Sequence, residues 1–139
     1  MQRSHHHAVV IVGAGQAACQ LAISLRQKDY PGPIVLVGDE PFLPYARPPL
    51  SKTYLLGEMG LDRLTLRAPD WWQEQGIALH LGERATRIDR DRRVVATGRG
   101  EYPYDQLALT LGATPRRLPA AMGGELPGVH VVRNLADIA

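Results

Sequence analysis

Cysteine is almost missing from these 139 residues: Cys19 stands alone, so no intramolecular disulfide can form, and the chain fits a cytoplasmic protein. Charge of one sign is also lacking. Sixteen Lys and Arg against fourteen Asp and Glu leave a net charge of +2, too small a bias to argue for nucleic acid. Nor is there the interleaving of aromatic and basic residues that single strands require. Long hydrophobic runs are absent, and Met1–His7 leads straight into the short apolar run Ala8–Val12 with no small-residue cleavage site, which excludes a signal peptide or a membrane span there. His5, His6 and His7 read as part of an unstructured tail over residues 1–7 rather than as metal ligands, and no metal site is expected. Hydrophobic residues at 45% suffice for one core, which makes residues 8–139 part of a single domain.

What is present is concentrated near the start. Val9–Val12 is a short apolar strand that runs into Gly13-Ala14-Gly15-Gln16-Ala17-Ala18, a G-x-G-x-x-A turn opening a helix. Gly13 permits the tight turn, Gly15 has no Cβ to obstruct a pyrophosphate, and the small Ala18 lets the helix lie close to the strand. Amides at the helix start then face the phosphates, favoured by the helix dipole. Ala18, Leu21, Ala22 and Leu25 recur at i, i+3, i+4, i+7, the stripe of a helix that packs on a sheet. Tyr30-Pro31-Gly32-Pro33 breaks it, Ile34–Val37 forms a second strand, and Asp39 and Glu40 follow at that strand's tip. Asp39 is the favoured partner for the adenosine ribose hydroxyls, and its charge would repel a 2′-phosphate. Cys19, inside the helix, reads as a packing residue.

Further on, four prolines in Pro41–Lys52 give a stiff irregular connection. Ser51 is expected to cap a short helix through Tyr54-Leu55-Leu56 that stops at Gly57, and Asp70–Gln75 a second helix with Trp71 or Trp72 inward. Ile77–Leu81 reads as a strand whose His80 is structural. Ala85–Ile88, Val94–Thr97 and the turn at Gly98-Arg99-Gly100 read as antiparallel ribbons, and the arginines 84, 87, 90, 92 and 93 as a solvated face rather than a dock for an acidic partner. Leu107–Leu111 is expected to be a strand buried on both sides of a parallel sheet, ending near the cofactor at Gly112.

Pro44-Tyr45-x-Arg47-Pro48-Pro49-Leu50-Ser51-Lys52, together with the glycine turn, resembles the N-terminal part of the FAD-dependent pyridine-nucleotide oxidoreductases, in the ferredoxin, putidaredoxin and rubredoxin reductase branch. The resemblance runs over nearly the whole chain from Ala8. It implies an incomplete α/β, Rossmann-like FAD/NAD(P)-binding domain, a parallel sheet with helices on one side and a three-stranded antiparallel meander on the other. It also implies that the Pro44–Lys52 segment stands where disulfide reductases carry a redox cysteine pair, so electrons would leave singly to an iron–sulfur or rubredoxin-like carrier.

Residue by residue, Gly13, Ala14, Gly15, Gln16, Ala17 and Ala18 would form the FAD pyrophosphate turn, and Asp39, with Glu40 beside it, the ribose contact. Lys52 and Arg47 would be the catalytic cations beside the isoalloxazine. Ala85 would bond the adenine edge through its backbone, Thr110 and Gly112 would line the flavin, and Arg116 would pair with the pyrophosphate or ribityl region. Thr110-Leu111-Gly112 departs from the family's usual Ala-Thr-Gly, placing an isobutyl group where a hydroxyl is expected. The sequence holds no second G-x-G-x-x-G turn for NAD(P)H, which reads as the front part of a longer reductase that alone binds FAD poorly and transfers no electrons from NAD(P)H. A stand-alone adenine-dinucleotide module and an inactive truncated product are the competing readings.

Overall fold

A computed structural model describes residues 7–138; the expected tail over 1–7 therefore lies outside the described residues except for His7. Alternation of apolar side chains builds the centre. β1 (Val9–Val12) pairs in parallel with β2 (Ile34–Val37) on one side and with β7 (Gln106–Leu109) on the other, and β3 (Ile77–His80) extends the sheet beyond β2. The order is β3-β2-β1-β7. Because successive strand residues point to opposite faces, Val9, Ile11, Ile34 and Leu36 meet the helices, and Val10, Val12 and Val37 meet a second, antiparallel sheet. Fully burying one such side chain contributes about 1.5–3 kcal/mol.

On the helix face lies α1 (Gln16–Gln27), with Ala18, Cys19, Ala22 and Ile23 buried against the sheet. This stripe is rotated from the expected one: Leu21 and Leu25 pack at its flank, because the small residues allow the closer approach. Cys19 packs as expected, and burial pushes its thiol up from the ordinary value. α3 (Pro69–Glu74) joins this face through Trp72, with Trp71 edge-on to it. The opposite face is covered by the meander β4 (Ala85–Asp89), β5 (Val94–Thr97) and β6 (Glu101–Pro103). Two of its arginines pair within it, Arg87 with Asp89 and Arg92 with Glu101.

Three expectations need correction. No helix spans Tyr54–Leu56; the prolines instead wind a 3-10 turn at Pro48–Ser51, so Ser51 ends a turn rather than capping a helix. Leu50 is the buried anchor of this region, whereas Leu55 and Leu56 are exposed and give a helix no apolar face to bury. A one-turn helix, α2 (Leu61–Leu64), comes later and buries Leu64 beside Leu50. Finally, β7 is shifted toward the N-terminus, ends at Leu109 and is not buried on both sides: it pairs only with β1 among the described residues, leaving Leu109 54% and Leu111 67% exposed.

Candidate functional site

The C-terminal ends of β1, β2 and β7 open into one cleft, the place where parallel sheets of this kind take ligands. It has two adjoining lobes of about 670 and about 480 Å³, which share Gly13, Asp39, Glu40, Arg47, Leu111, Gly112 and Arg133 in their walls. The larger lobe lies over the start of α1. The smaller one reaches Glu83, Arg84 and Ala85 at the base of the meander.

Gly13 turns the chain at φ +101°, with its N–H on the Val37 carbonyl at 2.7 Å. A Cβ there would overlap the Thr110 carbonyl, so β1 ends in contact with the end of β7. The Thr110 hydroxyl lies 3.1 Å from both the Val12 and Gly13 carbonyls and is turned to the backbone. Gly15 differs: nothing lies within 4 Å of where its Cβ would be, and it sits at the N-cap of α1 with no side-chain cap and no acidic residue in the first turn. The first amides of the helix therefore face open space beside Ala14, Gln16 and Ala17, an arrangement that accepts a phosphate group. Ala18 does not line the cleft; it is fully buried beneath the turn.

Asp39 and Glu40, adjacent in sequence, have separate surroundings. Asp39 is exposed in both lobes, its carboxylate 3.2 Å from the exposed Arg84 guanidinium. Glu40 is engaged: Oε1 accepts from Arg47 at 2.6 Å and Oε2 from the Tyr45 hydroxyl at 2.5 Å. Tyr45 is buried, and desolvation together with the bond to Glu40 pushes its hydroxyl up to about 12. Arg47 lines both lobes, but its charge is compensated by Glu40.

Ala85 opens β4 and lines the smaller lobe, and Gly112 lines both. Two cations do not reach the wall. Lys52 is exposed with Nζ 3.2 Å from the Pro48 carbonyl, and Arg116 is exposed on the segment after β7, outside both lobes. The residue missed from sequence is Arg133, which lines both lobes with a guanidinium nitrogen lying over Gly112. The signal beside it was Asn134-x-x-Asp137, which forms a capping box at the 3-10 turn Leu135–Asp137.

Glu83, 5% exposed, forms the floor between cleft and meander. It accepts from the hydroxyls of Thr97 and of Tyr102, the latter at 2.8 Å, and these bonds, Thr97's foremost, hold its carboxyl below the ordinary value. His80 Nδ1 lies 3.0 Å from the Tyr102 hydroxyl, which fits its structural reading. Among the described residues no group of three His, Cys, Asp or Glu is placed to hold a metal, and no helix is long and apolar enough to cross a membrane.

Known proteins resemble this chain in sequence and in fold. The chain is 46% identical to a ferredoxin–NAD(P)(+) reductase of Sphingomonas sp over 95% of its own length and 32% of that protein's. With rhodocoxin reductase of Rhodococcus erythropolis the figures are 44%, 93% and 30%. In a solved putidaredoxin reductase–putidaredoxin covalent complex, a chain superposes with a TM-score of 0.86 at 41% identity, covering 95% of this chain and 32% of that one. The chain thus spans about a third of the length of the curated relatives it matches. Residues 7–138 match the family described as pyridine nucleotide-disulphide oxidoreductase. With the glycine turn, the acid after β2 and the meander all in place over nearly the whole chain, the protein belongs to the pyridine nucleotide-disulphide oxidoreductase family.

Proposed function

We propose that this chain is the FAD-binding part of a cytoplasmic NAD(P)H-dependent reductase that passes electrons through FAD to a ferredoxin or a rubredoxin-like carrier. The observation that carries the reading is the single cleft that joins the open start of α1 to the exposed Asp39 carboxylate. The turn amides near Gly13, Gly15 and Ala17 would take the pyrophosphate, and Asp39 the ribose hydroxyls. The backbone of Ala85 would meet the adenine edge, and Arg133, instead of Arg116, would bring a guanidinium to the phosphates. On the proline-rich segment Glu40 neutralises Arg47, which leaves Lys52 as the uncompensated cation for the flavin side. FAD held by these residues would supply the chemistry that links hydride transfer from a nicotinamide to single-electron release. These 139 residues hold one cysteine, on the buried face of α1, so they supply no dithiol to that chemistry.

Relatives are named as reductases of rhodocoxin, putidaredoxin and rubredoxin, which supports a small redox protein as the acceptor. ADP is the probe suited to this chain, because the groups assigned to the adenosine and pyrophosphate all lie within it. Calorimetric titration is expected to show ADP binding that Asp39→Ala weakens by roughly 1.5–3 kcal/mol, about ten- to a hundredfold in Kd. Equal affinity in the two proteins would overturn the ribose assignment.

A further inference from the structure

We propose that Glu40 is a positioning residue: through Tyr45 and Arg47 it holds the segment Arg133–Asp137 at the cleft and so sets the Arg133 guanidinium where a pyrophosphate would lie. The inference rests on the dinucleotide reading above and adds to it a mechanism for the second wall.

Both Glu40 oxygens are occupied, by Arg47 and by Tyr45. The Tyr45 hydroxyl in turn accepts from the Leu135 amide at 3.1 Å and from Arg47 Nη1 at 3.0 Å, and the same Nη1 donates to the Arg133 carbonyl at 2.8 Å. On the other side of Arg133, its N–H donates to Asp137 Oδ2 at 2.7 Å, and Asn134 N–H donates to the same oxygen at 2.9 Å. The backbone of Arg133 is therefore pinned at its nitrogen by Asp137 and at its carbonyl by Arg47. Leu135, buried with Tyr45, Leu50 and Leu64, anchors the segment from below.

The side chain is left for a ligand. Among the described residues the Arg133 guanidinium has no carboxylate partner, and it lines both lobes. Charge divides accordingly: Glu40 cancels Arg47, so Arg133 is the cation of the shared wall that remains for an anion. A carboxylate whose two oxygens are committed in this way is a poor ribose acceptor, which separates the role of Glu40 from that of its neighbour Asp39.

The test uses Glu40→Ala, Glu40→Gln and Tyr45→Phe, the last removing a single oxygen, and reads amide exchange without nucleotide and ADP affinity. In Glu40→Ala and Tyr45→Phe, exchange over residues 133–138 should speed up about tenfold while that of β1 and β2 stays unchanged. ADP affinity should fall about tenfold, with Glu40→Gln, which keeps one acceptor oxygen, in between. In an Arg133→Ala background the further loss from Glu40→Ala should shrink to less than about twofold. Unchanged exchange over 133–138 would overturn the clamp. A full Glu40→Ala loss in the Arg133→Ala background would make Glu40 a direct ligand and equally overturn it. Failure of the unmutated chain to bind ADP would instead remove the nucleotide reading, and with it the purpose assigned to the clamp.

Discussion

The wall of the cleft made by Val12–Ala17 and the wall made from the stretch Leu109–Asn134 face the same space, yet their packing differs sharply. β1 is flanked by strands on both edges, covered on both faces, and leads directly into the turn that lines the cleft. After Leu109 the described residues form no strand, and Leu111, Leu118, Met122, Leu126 and Val129 are exposed along the stretch. It is anchored where Leu135 is buried and where Tyr45 and Arg47 reach across. One wall is rigid through burial; the other is held by a few polar bonds to a distant loop. A site assembled in this way should respond differently to damage on its two sides.

The sharpest way to break the first wall is at its glycines, which the structure separates. Gly13→Val places a branched side chain at φ +101° and against the Thr110 backbone, and is expected to cost about 3 kcal/mol or more, read as loss of the cooperative thermal transition. Gly15→Leu meets open space and should leave that transition nearly in place while abolishing ADP binding. If Gly15→Leu retains ADP, the phosphate site is not at the start of α1.

On the second wall the contrast is between two arginines. Arg133→Ala should weaken ADP binding about tenfold, the scale of one charge-assisted hydrogen bond, and Arg116→Ala should leave it unchanged. The reverse pattern in a titration of the two variants would show that the segment after β7 folds over the cleft when nucleotide binds.

The smallest effect concerns the joint between cleft and meander. Glu83 has its carboxyl held below the ordinary value by Thr97, then by Tyr102, His80 and Arg99. A carboxyl lowered in the folded state adds stability that is fully present above its unfolded value and is lost as pH falls through the folded one. Glu83→Gln should therefore flatten the acid limb of a stability-versus-pH curve and change little above the ordinary carboxylate range. An acid limb identical to that of the unmutated chain would remove Glu83 from the joint.

Much of this could be read before any coordinates, for identifiable reasons. The β1–α1–β2 unit is a contiguous pattern, and the meander announces itself by short apolar runs between polar turns. Where reading failed, local pattern and tertiary placement diverged. Leu107–Leu111 is as apolar as an interior strand, but nothing in the run says that pairing stops at Leu109 and leaves Leu109 and Leu111 exposed. Tyr54–Leu56 has helix-forming leucines, but Pro48 and Pro49 had already committed the chain to a 3-10 turn whose single anchor is Leu50. Asp39 and Glu40 are near-equivalent acids on paper, and only their neighbours distinguish them.

The sequence by itself determined the nucleotide turn, the strand before it, the helix after it and the acidic tip of β2, because each depends on backbone sterics and hydrophobic period among residues close along the chain. Which arginine faces the cleft, and what Glu40 does, was decided by tertiary structure alone. The bonds responsible join residues 86 and 90 positions apart, Arg47 to Arg133 and Tyr45 to Leu135. No local spacing encodes such contacts; they exist because burial of Leu50, Leu64 and Leu135 in one small core brings those two stretches of chain together.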